Sequence, residues 1–486
     1  MKRPSLLWPL AGLLALGLLF GPRTGYAQSD TAAVYTLSRC VALALDHNLQ
    51  ARQADWQTEK SRLDLLSARG NVLPFVAGGV THGINQGRSI DPFTNSYVNQ
   101  EVSFANYGLS GSITLWNGQT LQHTVQQTRL AYEAGKLERQ QLRENITISV
   151  LLAYLQVLNS DEQLNQARQQ TRVTADQVAR LRVLDSSGTI APALLADLKG
   201  QLATDQLNEL TARGNAQTAR LTLAQLLNIP FNPALRVSPL PEALSPTNPA
   251  AAADVGQLVL TATATLPHLK AAELRLRSAQ KGVRAARGMR LPALYAFGNL
   301  GTTYSSAANR ATLLGTSEVA TGNYVVVGPD RVPVYTAAPT YRSSVIPYAE
   351  QWRNNVFSTI GLGLRIPLLN GNQARTQRGL ARLAEQQADV QVQVVTTQLQ
   401  QAVTQAVLNQ QLAQERYQAL TGQVADFTQS FRAAEARFAV GVTTSVDYVV
   451  AKNNLDRARS NLIAARYDVA LRRQIVAYYA GKAQLP

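Results

Sequence analysis

The feature that most limits the fold is an internal repeat in the amino-acid sequence. Residues 68–74 read ARGNVLP and recur as ARGMRLP at 286–292, a separation of 218 residues. From Asn117 to about residue 229 the chain then aligns without a gap to residues 370–482, at a constant separation of 253 residues. Two units of equal length are therefore predicted to pack side by side. The change in separation places about 35 additional residues in the region 305–355 of the second copy.

Both copies show the same order of predicted elements, which is an amphipathic helix, two strands and a long helical hairpin. The amphipathic helix is predicted over about 36–69 and again over 255–287. The predicted strands occupy about 72–84, 102–116, 290–304 and 356–369, and the predicted hairpins occupy 117–229 and 370–482. The predicted domains are a signal peptide at 1–27, a first repeat at 28–229, a proline-rich linker at 230–253, a second repeat at 254–482 and a tail at 483–486.

The hairpin segments are predicted to be very long helices. They are rich in Ala, Leu, Gln and Arg, which form helices readily, and their outgoing arms contain no proline. Each outgoing arm would extend about 100 Å at roughly 1.5 Å per residue. Ile148, Leu151 and Leu155 recur at the spacing of a helix–helix seam. Because a lone helix of this length is unstable in water, the arms are predicted to pack laterally into a wall.

The second strand of each copy carries an alternating pattern of side chains. Apolar residues take every second position, while small or polar residues and Arg365 take the positions between them. The residues predicted to face lipid are Tyr107, Leu109, Ile113, Leu115, Ile360, Leu362, Leu364 and Ile366. Such alternation over about ten residues is typical of strands in outer-membrane barrels. Arg365 on the second face suits a water-filled lumen.

The N-terminus has the pattern of a secretory signal. Lys2 and Arg3 precede the apolar segment Leu6–Phe20, and small residues flank a predicted cleavage site after Ala27. Nothing later in the sequence offers the ~20 consecutive apolar residues of a membrane-spanning helix. Any membrane span must therefore be a closed β-barrel. Four strands per chain cannot enclose a lumen, whereas three chains would supply about twelve, so a homotrimer is predicted.

Charge and motif content argue against several other functions. The formal net charge is +15, but the arginines are scattered along helices without a basic run, so nucleic acid is not a predicted partner. The four histidines are dispersed, and the sequence contains no HExxH or GxSxG motif. No catalytic residue, cofactor or metal site is therefore predicted. Cys40 is the only cysteine and is predicted to be a small buried hydrophobe.

Two short motifs resemble those of a known family. The segment 35–48, YTLSRCVALALDHN, is similar to the entry helix of the TolC family of outer-membrane efflux proteins. The segment 437–447, RFAVGVTTSVD, is similar to the hairpin-tip signature of that family, with an aromatic residue three positions before the glycine and an aspartate six after it. The resemblance covers the whole mature chain. It implies a mainly α homotrimer in which a 12-stranded transmembrane β-barrel continues into an α-helical barrel.

The resemblance also implies a function and partners. Members of the TolC family receive cargo from an inner-membrane pump through a periplasmic adaptor, also called a membrane fusion protein. They release drugs, metals, small metabolites or secreted proteins outside the outer membrane, and they catalyse no reaction themselves. The helical tunnel lies in the periplasm, and outer-membrane lipid surrounds the barrel.

The family's site residues match particular positions of this sequence. The adaptor-docking residues implied are Val440, Gly441, Val442 and Thr443, with Gly188 and Thr189 in the first copy. Asp447 matches a lumen aspartate near the closed periplasmic end, where three copies would form a ring that favours cations. The sequence departs from the pattern at Thr443 and Val450, where some members have Arg and Asp, and at Leu194 in the first copy.

A trimeric coiled-coil stalk or adhesin without channel activity is the alternative interpretation. It shares export, long helices and trimerisation with an outer-membrane channel. It does not require a strand pair before each hairpin, or two hairpins that match without a gap. If the chain forms an outer-membrane channel, the region 305–355, with four tyrosines among small and polar residues, is predicted to be an extracellular loop.

Overall fold

The computed structural model of the chain describes residues 34–90, 95–99, 101–239 and 254–481. The predicted signal peptide, residues 240–253 of the predicted linker and the predicted tail lie outside the described residues. The described part is mainly α-helical, as the sequence predicts. None of its helices combines the length and the apolar composition that crossing a membrane requires.

The described residues form ten strands and nine helices. The strands are β1 (Val34–Tyr35), β2 (Phe75–Asn85), β3 (Arg88–Ile90), β4 (Tyr97–Asn99), β5 (Val102–Trp116), β6 (Arg236–Val237), β7 (Ala293–Ser305), β8 (Asn309–Val327), β9 (Asp330–Val345) and β10 (Phe357–Arg365). The helices are α1 (Leu37–His47), α2 (Leu49–Gly70), α3 (Thr120–Ser186), α4 (Pro192–Leu227), α5 (Val255–Thr265), α6 (Pro267–Gly288), α7 (Tyr348–Asn354), α8 (Gln373–Ala439) and α9 (Ser445–Tyr479).

The two helical hairpins consist of α3 with α4 and of α8 with α9. Helices α3 and α8 are both 67 residues long, and 253 residues separate their starts and also their ends. Each follows an Asn-Gly pair and one further residue, the N-cap, which has a positive φ. The N-cap is Gln119 for α3 and Asn372 for α8. Gly118 and Gly371 also have positive φ, a conformation that costs glycine little. The same turn chemistry therefore starts both long helices.

The long helices are supported along one end by shorter ones. Helices α2 and α6 lie beside α3, and α6 also lies beside α8. The lateral order next to the sheet is therefore α2, α3, α6, α8. This packing buries apolar stripes and supplies the stability that a lone helix of about 100 Å would lack.

The two strand pairs form one antiparallel sheet with the order β10, β7, β5, β2. Phe75 lies opposite Ser112 in the first pair, and Ala293 lies opposite Arg365 in the second. These partners are related by the separations of 218 and 253 residues seen in the sequence. Strands β5 and β7 join the two pairs at the centre of the sheet. The outer edges of β2 and β10 have no strand partner in the described part of the chain.

The region 305–355, predicted to be an extracellular loop, has regular secondary structure. It contains β8 and β9, which pair with each other, followed by α7. Valine and threonine are frequent in both strands, and these residues favour a pleated, extended backbone. Among the described strands, the hairpin of β8 and β9 pairs only with itself. Its location outside the cell stays a prediction.

The described end of the linker is also more ordered than the sequence predicts. Strand β6 pairs in parallel with β1 at the start of the described chain. The hydroxyl of fully buried Tyr154 donates to the carbonyl of Ser238 at 2.6 Å. Cys40 lies in the same core without exposed surface, as predicted, and burial raises the pKa of its thiol to about 11. The thiol therefore stays protonated and unreactive at neutral pH.

Candidate functional site

The second hairpin turns at residues 440–443, between α8 and α9. Gly441 has a φ of +76°. The N–H of Val442 donates to the carbonyl of Arg437 at 2.9 Å, which closes a helix end that needs a left-handed residue. Val440 and Val442 are each 74% exposed, so apolar side chains project from this tip.

The first hairpin turns with the same backbone geometry at Gly188 and Thr189. Gly188 has a φ of +70°, and the N–H of Thr189 donates to the carbonyl of Leu184 at 3.0 Å. Ile190 and Leu194 pack against buried residues of the neighbouring helices instead of projecting from the tip. The two predicted docking turns thus share a fold, but only the second exposes an apolar pair.

Asp447 lies at the start of α9, where it forms a capping box with Thr444. The Asp447 N–H donates to the Thr444 hydroxyl at 3.2 Å, and that hydroxyl donates to the Asp447 carboxylate at 2.7 Å. The Thr443 hydroxyl donates to the same carboxylate at 3.1 Å. These hydrogen bonds, that of Thr444 first, lower the pKa of Asp447, so this exposed carboxylate is ionised at neutral pH.

An aromatic cluster joins the two hairpins beside the tips. Tyr448 is 1% exposed, and its ring stacks on Phe438 at a centroid distance of 4.7 Å. Phe431 lies 5.6 Å away on the same helix, α8. Leu195 and Leu198 of α4 complete the cluster. The residue that follows Asp447 therefore anchors α9 against both of its neighbours.

A buried ionic network crosses between the hairpins farther from the tips. The ammonium group of Lys452 lies 2.9 Å from the Asp205 carboxylate and 2.7 Å from that of Asp456. The side chains of Lys452 and Asp205 are each 4% exposed. Thr174 and Gln201 donate to Asp205 at 2.5 Å and 2.8 Å. Burial of these charges is tolerated because each is paired and hydrogen-bonded.

A second polar contact between the hairpins lies closer to the tips. The hydroxyl of Ser445 donates to the Asp197 carboxylate at 2.7 Å. Neither this contact nor the ionic network is predicted by the sequence. Lys452 and Asp456 are visible in the sequence as a pair one helical turn apart. Asp205, however, is 247 residues from Lys452, and only the fold brings the two together.

Six of the eight predicted lipid-facing residues lie on one face of the sheet. Ala296 of β7 lies opposite both Ile113 of β5 and Leu362 of β10, and directly opposite residues point to the same face. The six residues on this face are Tyr107, Leu109, Ile113, Ile360, Leu362 and Leu364. Ile360 and Leu362 are 91% and 70% exposed in the isolated chain, and an apolar sheet face of this size requires cover.

The other two predicted positions lie outside the regular pairing. Leu115 falls at a register shift of β5, where it has no opposite residue. Ile366 follows Arg365, the last residue of β10. Tyr107 keeps its place on the face but is partly covered, since its ring lies 4.4 Å from that of Trp352 on α7. The apolar face is therefore shorter at one end, and more covered at the other, than the sequence predicts.

The opposite face of the sheet consists of small and polar residues with a few aromatic rings. The Phe297 ring lies so close to Gly361 that a Cβ there would stand 2.7 Å from it. Tyr295 covers Gly363 in the same way, and the Arg365 guanidinium lies 5.7 Å from the centre of the Tyr295 ring. One face is thus apolar and the other polar, which is the division found in strands between lipid and water.

A sheet continued by two helical hairpins is the architecture of outer-membrane channel subunits with solved structures. The outer membrane protein VceC of Vibrio cholerae matches with a TM-score of 0.73 over 92% of this chain and 96% of that chain, at 15% identity. The sequence matches the family model for outer membrane efflux proteins over residues 40–228 and 258–482. The chain belongs to the outer membrane efflux protein family. The resemblance to the TolC family is confirmed, and the family consists of channel proteins rather than enzymes.

Two curated relatives match part of the chain. An uncharacterized protein of Haemophilus influenzae is 24% identical over 273 residues, which is 56% of this chain and 57% of that protein. The pyoverdine export outer membrane protein OpmQ of Pseudomonas putida is 28% identical over 211 residues, 42% of this chain and 41% of that protein. The chain thus spans about half the length of the curated relatives that it matches.

Proposed function

We propose that three copies of this chain form an export duct in the outer membrane. The duct receives cargo from an inner-membrane pump through a periplasmic adaptor and releases it outside the cell. The cargo consists either of small molecules, such as drugs, metals or metabolites, or of proteins. The three sheets join into a 12-stranded barrel, and the hairpins form an α-helical barrel in the periplasm. Family membership and the likeness to VceC in fold support this assembly.

The open edges of the four-stranded sheet carry this proposal. An unpaired edge exposes backbone N–H and C=O groups, which hydrocarbon cannot satisfy. A sheet that spans the membrane must therefore pair both β2 and β10 with other strands. A second copy of the chain offers complementary edges, and about twelve strands from three copies enclose a lumen.

The sequence separations specify how β10 of one copy pairs with β2 of the next. Within the chain, Gly111 of β5 lies opposite Gly298 of β7. At the separation of 253 residues, the counterpart of Gly111 in the second copy is Leu364. At the separation of 218 residues, the counterpart of Gly298 in the first copy is Val80. Leu364 of one copy is therefore expected opposite Val80 of the next, with both side chains on the apolar face.

The proposal retains the organisation into a first repeat at 28–229, a linker at 230–253 and a second repeat at 254–482. Each repeat supplies two strands to the barrel and one hairpin to the tunnel. The apolar face of the sheet contacts outer-membrane lipid, and the face with Arg365 lines the lumen. This assignment follows from the low cost of apolar side chains, and the high cost of a charge, in hydrocarbon.

The hairpin tips form the adaptor-docking end in this arrangement. Exposed Val440 and Val442 offer an apolar contact at the second tip, and Gly188 and Thr189 form the smaller contact at the first. Asp447 is exposed and ionised in the first turn of α9, so three copies would place a ring of negative charge at the aperture. Leu194 occupies the equivalent position in the first copy, which gives the ring threefold character.

Disulfide crosslinking in outer membranes tests both the trimer and its register. In a Cys40→Ala chain, the pair Val80→Cys and Leu364→Cys is expected to give a covalent trimer under oxidation. Opposite residues in antiparallel strands have Cα atoms about 4.5–5.5 Å apart, which a disulfide can bridge. The control pair Thr81→Cys and Leu364→Cys places the thiols on opposite faces and is expected to remain uncrosslinked. Equal crosslinking of both pairs, or of neither, contradicts the proposed register.

Single-channel recording in planar bilayers tests the duct itself. The purified trimer is expected to carry discrete ionic currents, because a barrel continuous with a helical tunnel leaves a water-filled path. A trimeric coiled-coil stalk would give none, so the absence of current from a correctly crosslinked trimer rejects the duct in favour of the stalk.

A further inference from the structure

An arginine cluster lies where the second strand pair meets the helices. Arg287 belongs to the last turn of α6, Arg290 follows that helix, and Arg378 and Arg382 lie near the start of α8. Helices α6 and α8 pack against each other. The charge of Arg382, then burial, then the charges of Arg287 and Arg290 lower the pKa of Arg378. Arg378 therefore lies within electrostatic reach of the other three guanidinium groups.

The described carboxylates leave this cluster without a counter-charge. None of the four arginines forms a salt bridge within the described residues. The segments 274–317 and 351–384, which contain the cluster, have no Asp or Glu. The Nε atom of Arg378 is buried and lacks a hydrogen-bond partner in the described part of the chain. An unpartnered guanidinium donor of this kind favours an anion that can accept from it.

The first copy shows that the helix packing does not require two of these arginines, Arg290 and Arg378. At the separations that relate the two copies, Val125 stands in place of Arg378, and Val72 stands in place of Arg290. Helices α2 and α3 pack together there as α6 and α8 do in the second copy. Arg287 and Arg382, by contrast, have arginine counterparts in Arg69 and Arg129. Arg290 and Arg378 are therefore the additions to a contact that forms without them, and a binding role explains these two.

A cavity of about 460 Å³ opens beside the cluster. Arg290, Arg375 and the loop 367–372 line it. In the isolated chain Leu368 and Leu369 of this loop are 88% and 98% exposed. The cavity thus combines cationic and apolar walls, and its volume suits a small ligand. The planar fork of an arginine matches two oxygens of a phosphate, which makes phosphate the anion that such a cluster favours.

We propose that the arginine cluster at the junction of α6 and α8 binds a phosphate group. Arg287 and Arg378 hold the phosphate oxygens, and Arg290 and Arg375 line the space for the rest of the ligand. The phosphate belongs either to the headgroup of an anionic phospholipid, whose chains would contact Leu368 and Leu369, or to a soluble anion. This inference does not depend on channel activity.

Calorimetric titration of the delipidated, full-length protein with inorganic phosphate in detergent tests the site. Saturable binding is expected, and Arg287→Gln with Arg378→Gln should weaken it at least about tenfold, since charge-assisted hydrogen bonds are lost. The matched control, Arg172→Gln with Arg180→Gln, removes the same charge from exposed positions of α3 and should bind phosphate as the wild type does. If the first pair disturbs folding, the exposed pair Arg290→Gln with Arg382→Gln replaces it.

Titration of the protein in lipid nanodiscs separates the two sources of phosphate. If a lipid headgroup occupies the site, binding of inorganic phosphate persists in phosphatidylcholine discs and disappears when phosphatidylglycerol is added. If the site takes a soluble anion, binding persists in both. Either result supports the phosphate site. Equal affinity in the wild type and both cluster variants, or no saturable binding in detergent and phosphatidylcholine discs, overturns it.

Discussion

Asp447 is a motif residue that stabilises the local structure, independently of any role in transport. Its backbone N–H and its carboxylate both bond to Thr444, and this box starts helix α9. The carboxylate is nevertheless exposed and ionised, so it remains available to an aperture. The sequence motif locates the residue but cannot separate its capping from its charge.

Three substitutions separate the cap of α9 from the charge of Asp447. Asp447→Asn keeps a side-chain acceptor and removes the charge, so it is expected to alter conductance and reduce cation preference in planar bilayers. Asp447→Ala, which removes both, should do the same. Thr444→Ala keeps the charge but weakens the cap by about 1 kcal/mol, so it should lower the unfolding temperature and leave cation preference unchanged.

The outcomes of this series are distinct. If cation preference is the same in Asp447→Asn, Asp447→Ala and the wild type, Asp447 has no part in the aperture.

The cap also has a predictable pH dependence. The folded-state pKa of Asp447 is lowered, so its stabilising contribution is present above the ordinary carboxyl pKa of about 3.9 and is lost as the pH falls through the lowered value.

Among the elements, α9 ties the second hairpin to the first through contacts with both α3 and α4. Apolar packing of Tyr448 against Leu195 and Leu198 holds the helices near the tips. Farther along, Lys452 neutralises two carboxylates from different helices, Asp205 and Asp456. The aromatic cluster supplies burial, whereas the ionic network specifies the register of α9 against α4, because displacement of one helix would leave buried charges unpaired.

Lys452→Met is expected to destabilise the folded protein by about 3–5 kcal/mol, because two buried carboxylates lose their counter-charge. Thermal unfolding followed by circular dichroism measures the effect. The control is Lys60→Met on the exposed side of α2, which should change stability by at most about 0.5 kcal/mol. A similar unfolding temperature for the two variants would show that the network adds nothing to the contact between the hairpins.

At the scale of the whole molecule, the chain consists of a framework that both repeats share and one additional strand pair, β8 with β9. The sheet of β2, β5, β7 and β10 is continuous with both hairpins, and its strands pair in registers related by the two sequence separations. Strands β8 and β9 form a separate sheet of their own. The assembly proposed above uses the framework and makes no use of this second hairpin.

Deletion of residues 309–345 is therefore expected to preserve assembly. The N–H of Ile346 donates to the carbonyl of Ala308 at 3.0 Å, so the cut ends already lie together. The shortened chain should still give the covalent trimer with Val80→Cys and Leu364→Cys, and should still carry single-channel currents. Loss of both would place β8 and β9 in the framework instead.

Much of the framework was predictable because its signals are local. The periods of helix and strand, the Asn-Gly pairs and the glycines of the tips each act over a few residues. The hairpin of β8 and β9 was missed because a composition of small and polar residues with scattered tyrosines is shared by loops and exposed strands. The alternation continues in the sequence at Leu115 and Ile366, but a bulge and a strand end interrupt the strands there, so the lipid-facing position of these two residues stays a prediction.

The sequence by itself determined the order of helices and strands, the matched lengths of the two hairpins and the apolar side of their second strands. Each of these follows from a short-range period or from comparison of the chain with itself. The tertiary structure decided that β5 and β7 are neighbours, that Asp205 meets Lys452 and that Arg290 approaches Arg378. Alternation and periodicity show which side of an element is buried, but they do not identify what covers it. Those partners lie far apart in the chain, and packing in three dimensions selects them.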